Sequence, residues 1–393
     1  MAYNGAMQIL RNVLFGLLCC LPLLVADVRN QAYVPVNIYT FNELWVVDTQ
    51  EDKVISNISI PGQALNFEQL ALSPDRTRGY LLEAGNGKDK IHVIDLETRS
   101  YITQIPLEGW SNPIDLQVTP DGKKLYLVSS GNGGLIRMGG RVEVIDVASN
   151  RIVKTVSPKQ SDDTYNLRRI AITPDGSKVY VVESSNDQNK QCWIYVIDTA
   201  SDEVTATIGL KGGASSIAMT PDGAELYAVN KESRSVSVVD VRTDRLIAKI
   251  GVGVSPGHVA VSPDGALAYV SNELSHNVSV IDTVGHRVIA TIPVLARPIK
   301  ASVHPDGTRV YVASHEGGLG GVSVISTQTH EVVAQCIVGS KIVDLALTPD
   351  GTKVYVVHGY YLGWPYHAVE VISTATDTST AGLRILFPER IYT

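Results

Sequence analysis

A short turn motif recurs along the chain and places the strongest limit on its fold. A Pro-Asp pair, preceded by Ser, Thr or His and usually followed by Gly, occurs seven times at intervals of 42 to 54 residues. The seven copies begin at Ser73, Thr119, Thr173, Thr220, Ser262, His304 and Thr348. Proline pre-sets one corner of a turn, aspartate bonds back to the backbone and glycine accepts a positive φ, so each copy predicts a tight turn. A fixed period of this length indicates repeated structural units.

Each repeat contains four short segments with the composition of β-strands. In one repeat the apolar run at 217–219 enters the turn, and runs rich in β-branched residues follow at 226–230, 236–240 and 246–252. Four antiparallel strands per repeat is the period of a β-propeller blade, which buries its two faces only against neighbouring blades. The chain is therefore predicted to be all-β, a propeller of four-stranded antiparallel blades.

The number of blades follows from the spacing of the turns. The mean spacing of about 46 residues fits eight times into residues 27–393, so eight blades are favoured, with seven as the alternative. The N-terminal segment supplies strands two to four of one blade. The C-terminal ERIYT (389–393) is expected to supply its innermost strand, so that strands from both chain ends close the ring and leave no open edge.

The first residues resemble an export signal. Arg11 precedes an apolar run at 13–26 that ends in Leu-Val-Ala, a pattern typical of a cleaved signal peptide. The run is shorter than the roughly 20 residues of a membrane-spanning helix, although an uncleaved anchor is the alternative. The expected organisation is a signal peptide at 1–26 and one propeller domain at 27–393, in a secreted, periplasmic or cell-surface protein.

Charge and cysteine content exclude several classes of function. The net charge is −7, and no basic block is present, which argues against a protein that binds the nucleic-acid backbone. After signal cleavage only Cys192 and Cys336 remain, and two cysteines so far apart form neither a disulfide framework nor a metal motif. No cofactor is predicted, and no metal ligand is assigned; a divalent cation is the alternative considered for the acidic side chains described below.

The loops between the second and third strands vary, whereas the Pro-Asp turns are constant. The two sets lie on opposite faces of a propeller, so one face is standard and the other is individual, which is where function usually resides. The loop 358–367 (HGYYLGWPYH) is the most distinctive of the variable ones. Its aromatic residues are predicted to contact a ligand or partner: Tyr360, Tyr361, Trp364 and Tyr366.

Two further sets of positions point to the individual face. One set, the inner-ring residues, stands at the start of each innermost strand: Gln69, Asp115, Arg169, Ser216, His258, Lys300 and Asp344. The other set, the strand-end residues, closes each second strand: Glu83, Ser129, Glu183, Asn230, Asn272, Ser314 and His358. Acids, bases and histidines gathered at a channel mouth can bind a small polar ligand or perform acid–base chemistry. They can equally be the balanced charges of a solvated channel, with His258 and Lys300 simply paired near Asp344.

The repeat at 268–294, AYVSNELSHNVSVIDTVGHRVIATIPV, resembles the YVTN-type β-propeller repeat family. The resemblance covers residues 31–393 and implies a propeller, for which seven blades is the usual family number. It implies no single function, because the fold carries surface proteins, partner-binding subunits and enzymes.

Three functions remain open at this point. The first is an exported scaffold that binds a small polar molecule or a protein partner through its loop-bearing face, with His258, Lys300 and Asp344 among its ligand contacts. The second, allowed by the family resemblance, is a lactonase, lyase or isomerase/cyclase-type enzyme with an acid–base site in the central funnel. Its candidate catalytic residues are Glu183, Glu83, His358, Arg169 and Asp115. The third is a large subunit similar to those of amine dehydrogenases. Whether the protein is an enzyme is left undecided by the sequence.

Overall fold

The computed structural model describes most of the chain in regular strands. The described residues are 25–27, 30–38, 41–62, 67–85, 89–107, 112–130, 139–158, 166–185, 189–338, 341–359 and 367–380. They form eight four-stranded antiparallel sheets, which confirms the predicted all-β propeller and its eight blades. No helix among these residues is long and apolar enough to cross a membrane.

Each blade is a meander of four consecutive strands, numbered here in chain order. Blades 1 and 2 comprise β1 Val25–Asp27, β2 Gln31–Ile38, β3 Phe41–Asp48, β4 Lys53–Ser59, β5 Phe67–Leu72, β6 Arg78–Glu83, β7 Lys90–Asp95 and β8 Ser100–Pro106. Blades 3 and 4 comprise β9 Pro113–Val118, β10 Lys124–Ser129, β11 Arg141–Asp146, β12 Arg151–Val156, β13 Asn166–Ile172, β14 Lys178–Ser184, β15 Gln191–Asp198 and β16 Glu203–Lys211. The other four blades repeat the same order.

Blades 5 and 6 comprise β17 Ser216–Met219, β18 Glu225–Asn230, β19 Ser235–Asp240, β20 Arg245–Gly251, β21 Pro256–Val261, β22 Leu267–Asn272, β23 Asn277–Asp282 and β24 Arg287–Pro293. Blades 7 and 8 comprise β25 Pro298–Val303, β26 Arg309–Glu316, β27 Leu319–Ser326, β28 Glu331–Ile337, β29 Lys341–Leu347, β30 Lys353–Gly359, β31 His367–Ser373 and β32 Thr378–Thr380. The first strands of successive blades lie side by side, and β1 lies beside both β29 and β5, so the ring is closed.

The innermost strand of blade 1 differs from the expectation. β1 pairs with β2 through Val25 and Tyr33, so this position is filled from the N-terminal side and not by ERIYT. Residues 389–393 lie outside the described part of the chain. The physical requirement was predicted correctly, because blade 1 needs an innermost strand to remove its exposed edge, but the structure meets it with 25–27.

The Pro-Asp turns form as predicted. In blade 5 Gly223 has φ +71° and the Ala224 amide donates to the Asp222 carboxylate at 3.0 Å. The Thr220 hydroxyl adds a bond to the same carboxylate at 2.6 Å. A Cβ on Gly223 would lie 2.8 Å from Cδ of Pro174, in the corresponding turn of blade 4, so glycine also permits neighbouring turns to pack.

A contact between neighbouring blades recurs on the standard face; we call it the tyrosine latch. A fully buried tyrosine in the second strand, and a basic residue two positions before it, both bind a turn residue of the next blade that has positive φ. At the seam of blades 8 and 1, Asp52 accepts bonds from Lys353 Nζ at 2.7 Å and Tyr355 Oη at 2.6 Å. Burial and this bond raise the pKa of Tyr355, so its hydroxyl stays a donor.

The latch varies around the ring. Lys124 and Tyr126 bind Asp202, Lys178 and Tyr180 bind Asp244, and Arg309 and Tyr311 bind Asp377. At the seam of blades 5 and 6 the order is reversed: the acid, Glu225, stands in the second strand, and the base, His286, stands in the turn of the next blade. The two contact at 2.9 Å. Where an aspartate accepts these bonds, the latch joins the two blades at the standard face. The seam of blades 8 and 1, where the two ends of the ring meet, is one of these.

Replacing Asp52 by Asn should lower the free energy of unfolding by about 2 kcal/mol, because the mostly buried Lys353 ammonium loses its charged partner. Asn tolerates the positive φ of this position, so the backbone is retained. Glu51→Gln is the matched control, since Glu51 pairs with Lys53 in solvent and should contribute under about 0.5 kcal/mol. Urea unfolding measures both variants; equal losses would contradict the role given to the latch.

Candidate functional site

A β-bulge precedes six of the seven inner-ring residues, all except Ser216, and sets their direction. In blade 4 the pairing of β13 with β14 shifts between Leu167 and Arg169, and the same shift precedes Gln69, His258, Lys300 and Asp344. An extra residue in one strand turns the following side chain out of the regular alternation. Because of the bulges, the side chains that follow them depart from the regular alternation of a strand at the inner edge of the ring.

Several inner-ring side chains connect one blade to the next. The Gln69 side-chain oxygen accepts the Leu116 amide at 2.7 Å, and Asp115 Oδ2 accepts the Ile170 amide at 3.0 Å. The Ala301 amide lies 3.4 Å from His258 Nδ1 in the same arrangement. In each case the acceptor receives the amide that follows the next blade's inner-ring residue. These side chains therefore hold neighbouring innermost strands together.

Lys300 and Asp344 form the ion pair that the sequence suggested. Lys300 Nζ donates to Asp344 Oδ1 at 2.5 Å, and the Leu345 amide donates to the same oxygen at 2.8 Å. Asp344 is buried, and the Lys300 side chain is mostly so. The cation of blade 7 is thus neutralised by the acid of blade 8.

Arg169 is in a different situation. Its side chain is exposed, and no hydrogen bond or ion pair joins it to another residue in the described ranges. Its charge nevertheless acts on Glu68 of blade 2, Asp115 of blade 3 and His258 of blade 6. The charge of Arg169 therefore influences groups at the inner edge of three other blades.

The remaining inner-ring side chains beside Arg169 also present hydrogen-bond donors. Ser216 of blade 5 is buried, and its hydroxyl has no hydrogen-bond partner among the described residues. Burial, with the charges of Lys300 and Arg169, lowers the pKa of His258 to about 3, so its imidazole is neutral near pH 7. Because His258 Nδ1 accepts an amide, the proton of the neutral ring lies on Nε2. Blades 4, 5 and 6 thus form a continuous donor arc of Arg169, Ser216 and His258.

Two carboxyl groups lie close to this arc. Burial raises the pKa of Asp115, while Arg169 and the amides of Ile170 and Leu116 act in the opposite direction. Burial also raises the pKa of Glu68, which Arg169 opposes. Glu68 was not among the predicted residues. Its position at the bulge immediately before Gln69 was the available signal, since bulged residues often face a site.

The strand-end residues pair within their own blades. Glu83 is 5% exposed and accepts from His92 Nε2 at 2.7 Å, with Lys90 Nζ at 3.3 Å. His92 is completely buried and lies between the rings of Phe67 and Tyr101. Glu83 therefore joins the second and third strands of blade 2 inside the sheet stack.

Similar pairs occur in the other blades. Tyr195 Oη donates to Glu183 at 3.4 Å, Ser237 Oγ to Asn230 at 2.8 Å, and Ser129 Oγ to Glu143 at 3.1 Å. His358 Nε2 lies 3.9 Å from Glu370, and burial lowers the pKa of His358. Each partner stands in the third strand, diagonally across from the strand-end residue. The predicted catalytic roles of Glu83, Glu183 and His358 remain predictions; the structure gives Glu83 and Glu183 buried partners in their own blades, and His358 the partly exposed Glu370.

The structure thus divides the predicted residues into two groups. Asp115, Arg169, His258, Lys300 and Asp344 come together at the inner edge of the ring, whereas Glu83, Glu183 and His358 lie within separate blades. The predicted aromatic contacts Tyr360, Tyr361, Trp364 and Tyr366 lie outside the described residues. Within the described ranges no group of three or more His, Cys, Asp or Glu side chains is arranged to hold a metal ion. Cys192 and Cys336 are buried free thiols, as expected.

With this geometry in place, comparison with known proteins gives a partial family match. Residues 69–246, which include Asp115, Arg169 and Ser216, match the family described as lactonase, 7-bladed beta-propeller. That match supports a lactonase-like propeller, although the chain has eight blades.

Two curated relatives match part of this chain, and one solved structure shares its fold. The chain is 28% identical over 195 residues to the Bacillus subtilis protein named Uncharacterized protein YwhL, covering 50% of this chain and 39% of the relative. It is 32% identical over 154 residues to hydrazine synthase subunit beta of Kuenenia stuttgartiensis, covering 35% and 38%. The chain thus spans about two-fifths of the length of these curated relatives. The solved structure of dihydro-heme d1 dehydrogenase NirN in complex with DHE superposes with a TM-score of 0.69 at 16% identity, covering 92% of this chain and 75% of that one.

Replacing Glu83 by Ala should lower the free energy of unfolding by about 2–3 kcal/mol, because it leaves the buried His92 Nε2 without an acceptor. The matched control is Glu97→Ala in an exposed turn of the same blade, which should cost under about 0.5 kcal/mol. Chemical denaturation compares the two. A Glu83→Ala protein as stable as the control would contradict the structural role and favour the catalytic one.

Proposed function

We propose that this protein is a ligand-binding propeller that holds a small anionic molecule at the mouth of its central channel, on the loop-bearing face. The observation that carries the proposal is the donor arc of Arg169, Ser216 and His258. These three consecutive blades present an exposed guanidinium, a hydroxyl without a partner among the described residues and a neutral imidazole with its proton on Nε2. A ligand that satisfies this surface must supply acceptors and negative charge.

The hydrogen bonds that the other inner-ring residues already make also favour an anionic ligand. The acids of the inner ring already have donors, since Asp115 receives two amides and Asp344 receives Lys300 and an amide. The Gln69 oxygen is likewise used by an amide. The inner-ring groups of blades 2, 3, 7 and 8 each have a bond to the protein, with Asp344 Oδ2 of blade 8 left without a donor among the described residues, while blades 4 to 6 offer donors to a ligand.

The lactonase-type family match favours an enzyme as the second candidate. A lactone ring could place its carbonyl oxygen against Arg169, which would stabilise negative charge developing there. Glu68 is the candidate general base, because burial raises the pKa of this half-buried carboxyl and thereby increases its basicity. Hydrolysis of simple lactones, lost in Glu68→Gln and kept in Glu97→Gln, would support this activity.

Export and a protein partner complete the proposal. The signal-like segment favours a secreted, periplasmic or cell-surface protein, with cleavage ahead of Val25 because β1 keeps Val25 and Ala26 in blade 1. The aromatic residues at 360–366 are the proposed contact for a partner. One curated relative is named as a subunit of hydrazine synthase, which makes an assembly with a second chain a reasonable extension. Copurification of a second chain with the protein from its own source would support it.

Arg169→Gln should weaken the binding of a monocarboxylate by tenfold or more, because a charge-assisted bond to an anion is worth about 1.5–3 kcal/mol. Phenylacetate is the probe, measured by isothermal titration calorimetry at pH 7.5. The matched control is Arg287→Gln, an exposed arginine in the outer strand of blade 6 whose loss should leave the affinity unchanged. Equal affinities for both variants, or no binding by the unaltered protein, would overturn the proposal.

A further inference from the structure

The charges around the donor arc limit the kind of anion that it can hold. Arg169 is the one cation of the arc, because Ser216 carries no charge and the His258 imidazole is neutral. The neighbouring cation, Lys300, is compensated by Asp344 at 2.5 Å. A ligand in the arc therefore meets one uncompensated positive charge.

Two acidic groups reduce that attraction further. Asp115 accepts the amide of Ile170, the residue after Arg169, at 3.0 Å. Glu68 stands at the bulge beside Gln69, whose side chain accepts the amide of Leu116, the residue after Asp115. The charge of Arg169 acts on both carboxyl groups. Each carboxyl, when ionised, repels an anion bound to the guanidinium. A singly charged ligand balances Arg169, whereas the second charge of a phosphate monoester would add repulsion that neither Ser216 nor the neutral His258 offsets.

The neutral histidine adds a second requirement. His258 Nδ1 faces the Ala301 amide, so the ring offers Nε2–H to a ligand. A neutral N–H donor suits an uncharged oxygen, such as a hydroxyl or a carbonyl. The Ser216 hydroxyl between the two can donate or accept and fits either group.

Building on the proposed binding function, we infer that the site selects a singly charged carboxylic acid that carries a further hydroxyl or carbonyl oxygen, and that it discriminates against phosphate monoesters. The carboxylate pairs with the two-pronged guanidinium of Arg169, whose planar donors match its geometry. The additional oxygen accepts from His258 Nε2. Glu68 and Asp115 provide the selectivity by disfavouring a second negative charge.

Three probes of similar size test this inference by calorimetry at pH 7.5: mandelate, phenylacetate and phenyl phosphate. Mandelate differs from phenylacetate by one hydroxyl, and phenyl phosphate carries the second charge. The unaltered protein should bind mandelate most tightly, phenylacetate severalfold more weakly, and phenyl phosphate at least fivefold more weakly than phenylacetate.

Variants separate the two sources of selectivity. Glu68→Gln should improve phenyl phosphate binding by at least threefold and change phenylacetate by less than twofold, and Glu97→Gln should change neither. His258→Ala should remove the advantage of mandelate over phenylacetate, whereas His286→Ala, on the standard face, should retain it. Glu68→Gln keeps the test available if His258→Ala does not fold.

The outcomes distinguish this inference from the function on which it rests. If phenyl phosphate binds as tightly as phenylacetate and Arg169→Gln weakens both, the charge selectivity is wrong and the anion site stands. If mandelate and phenylacetate bind equally, the role of His258 is wrong. If none of the probes binds the unaltered protein, the binding function and the inference fall together.

Discussion

A closed ring of blades must be held together at its seams, and the tyrosine latch joins four of them on the standard face through Asp52, Asp202, Asp244 and Asp377. Its geometry depends on a turn residue with positive φ, which points its carboxylate back at the preceding blade. The tyrosine is buried and the basic residue is partly shielded, so both bonds form away from bulk water, where they are worth more. At Asp52 the same device joins residues about 300 positions apart and converts an open array into a ring.

The latch on one face leaves the other face free to vary. Because the standard face fixes the spacing of the blades, the bulges at the start of the innermost strands can direct different side chains to the ring's centre. Some of these, such as Gln69 and Asp115, bind the next blade and add stability. Others, Arg169 foremost, make no such bond among the described residues and present their donors at the channel mouth. The inner-ring residues of some blades therefore stabilise the ring, whereas those of other blades are available to bind a ligand.

Much of this fold was readable in the sequence because the repeat is local. The seven Pro-Asp turns set the register of blades 2 to 8. The inner-ring residues were also identified, since their distance from each turn is constant. What the sequence could not reveal was the direction of the strand-end side chains. Glu83 looked like a channel acid because His92, its partner, belongs to another strand and meets it only through the diagonal register of β6 and β7. Glu68 was overlooked because a bulge changes direction without leaving a distinct residue pattern.

A crystal structure with a bromine-labelled carboxylate bound tests the central claim most directly. Crystals soaked in 4-bromomandelate would locate the ligand by the anomalous signal of bromine, independently of affinity. The account predicts the carboxylate on the Arg169 guanidinium and the hydroxyl within hydrogen-bond distance of His258 Nε2. A ligand ordered elsewhere, with Arg169 turned onto Asp115 or Glu68 as an internal ion pair, would contradict it and return the channel charges to a purely structural role.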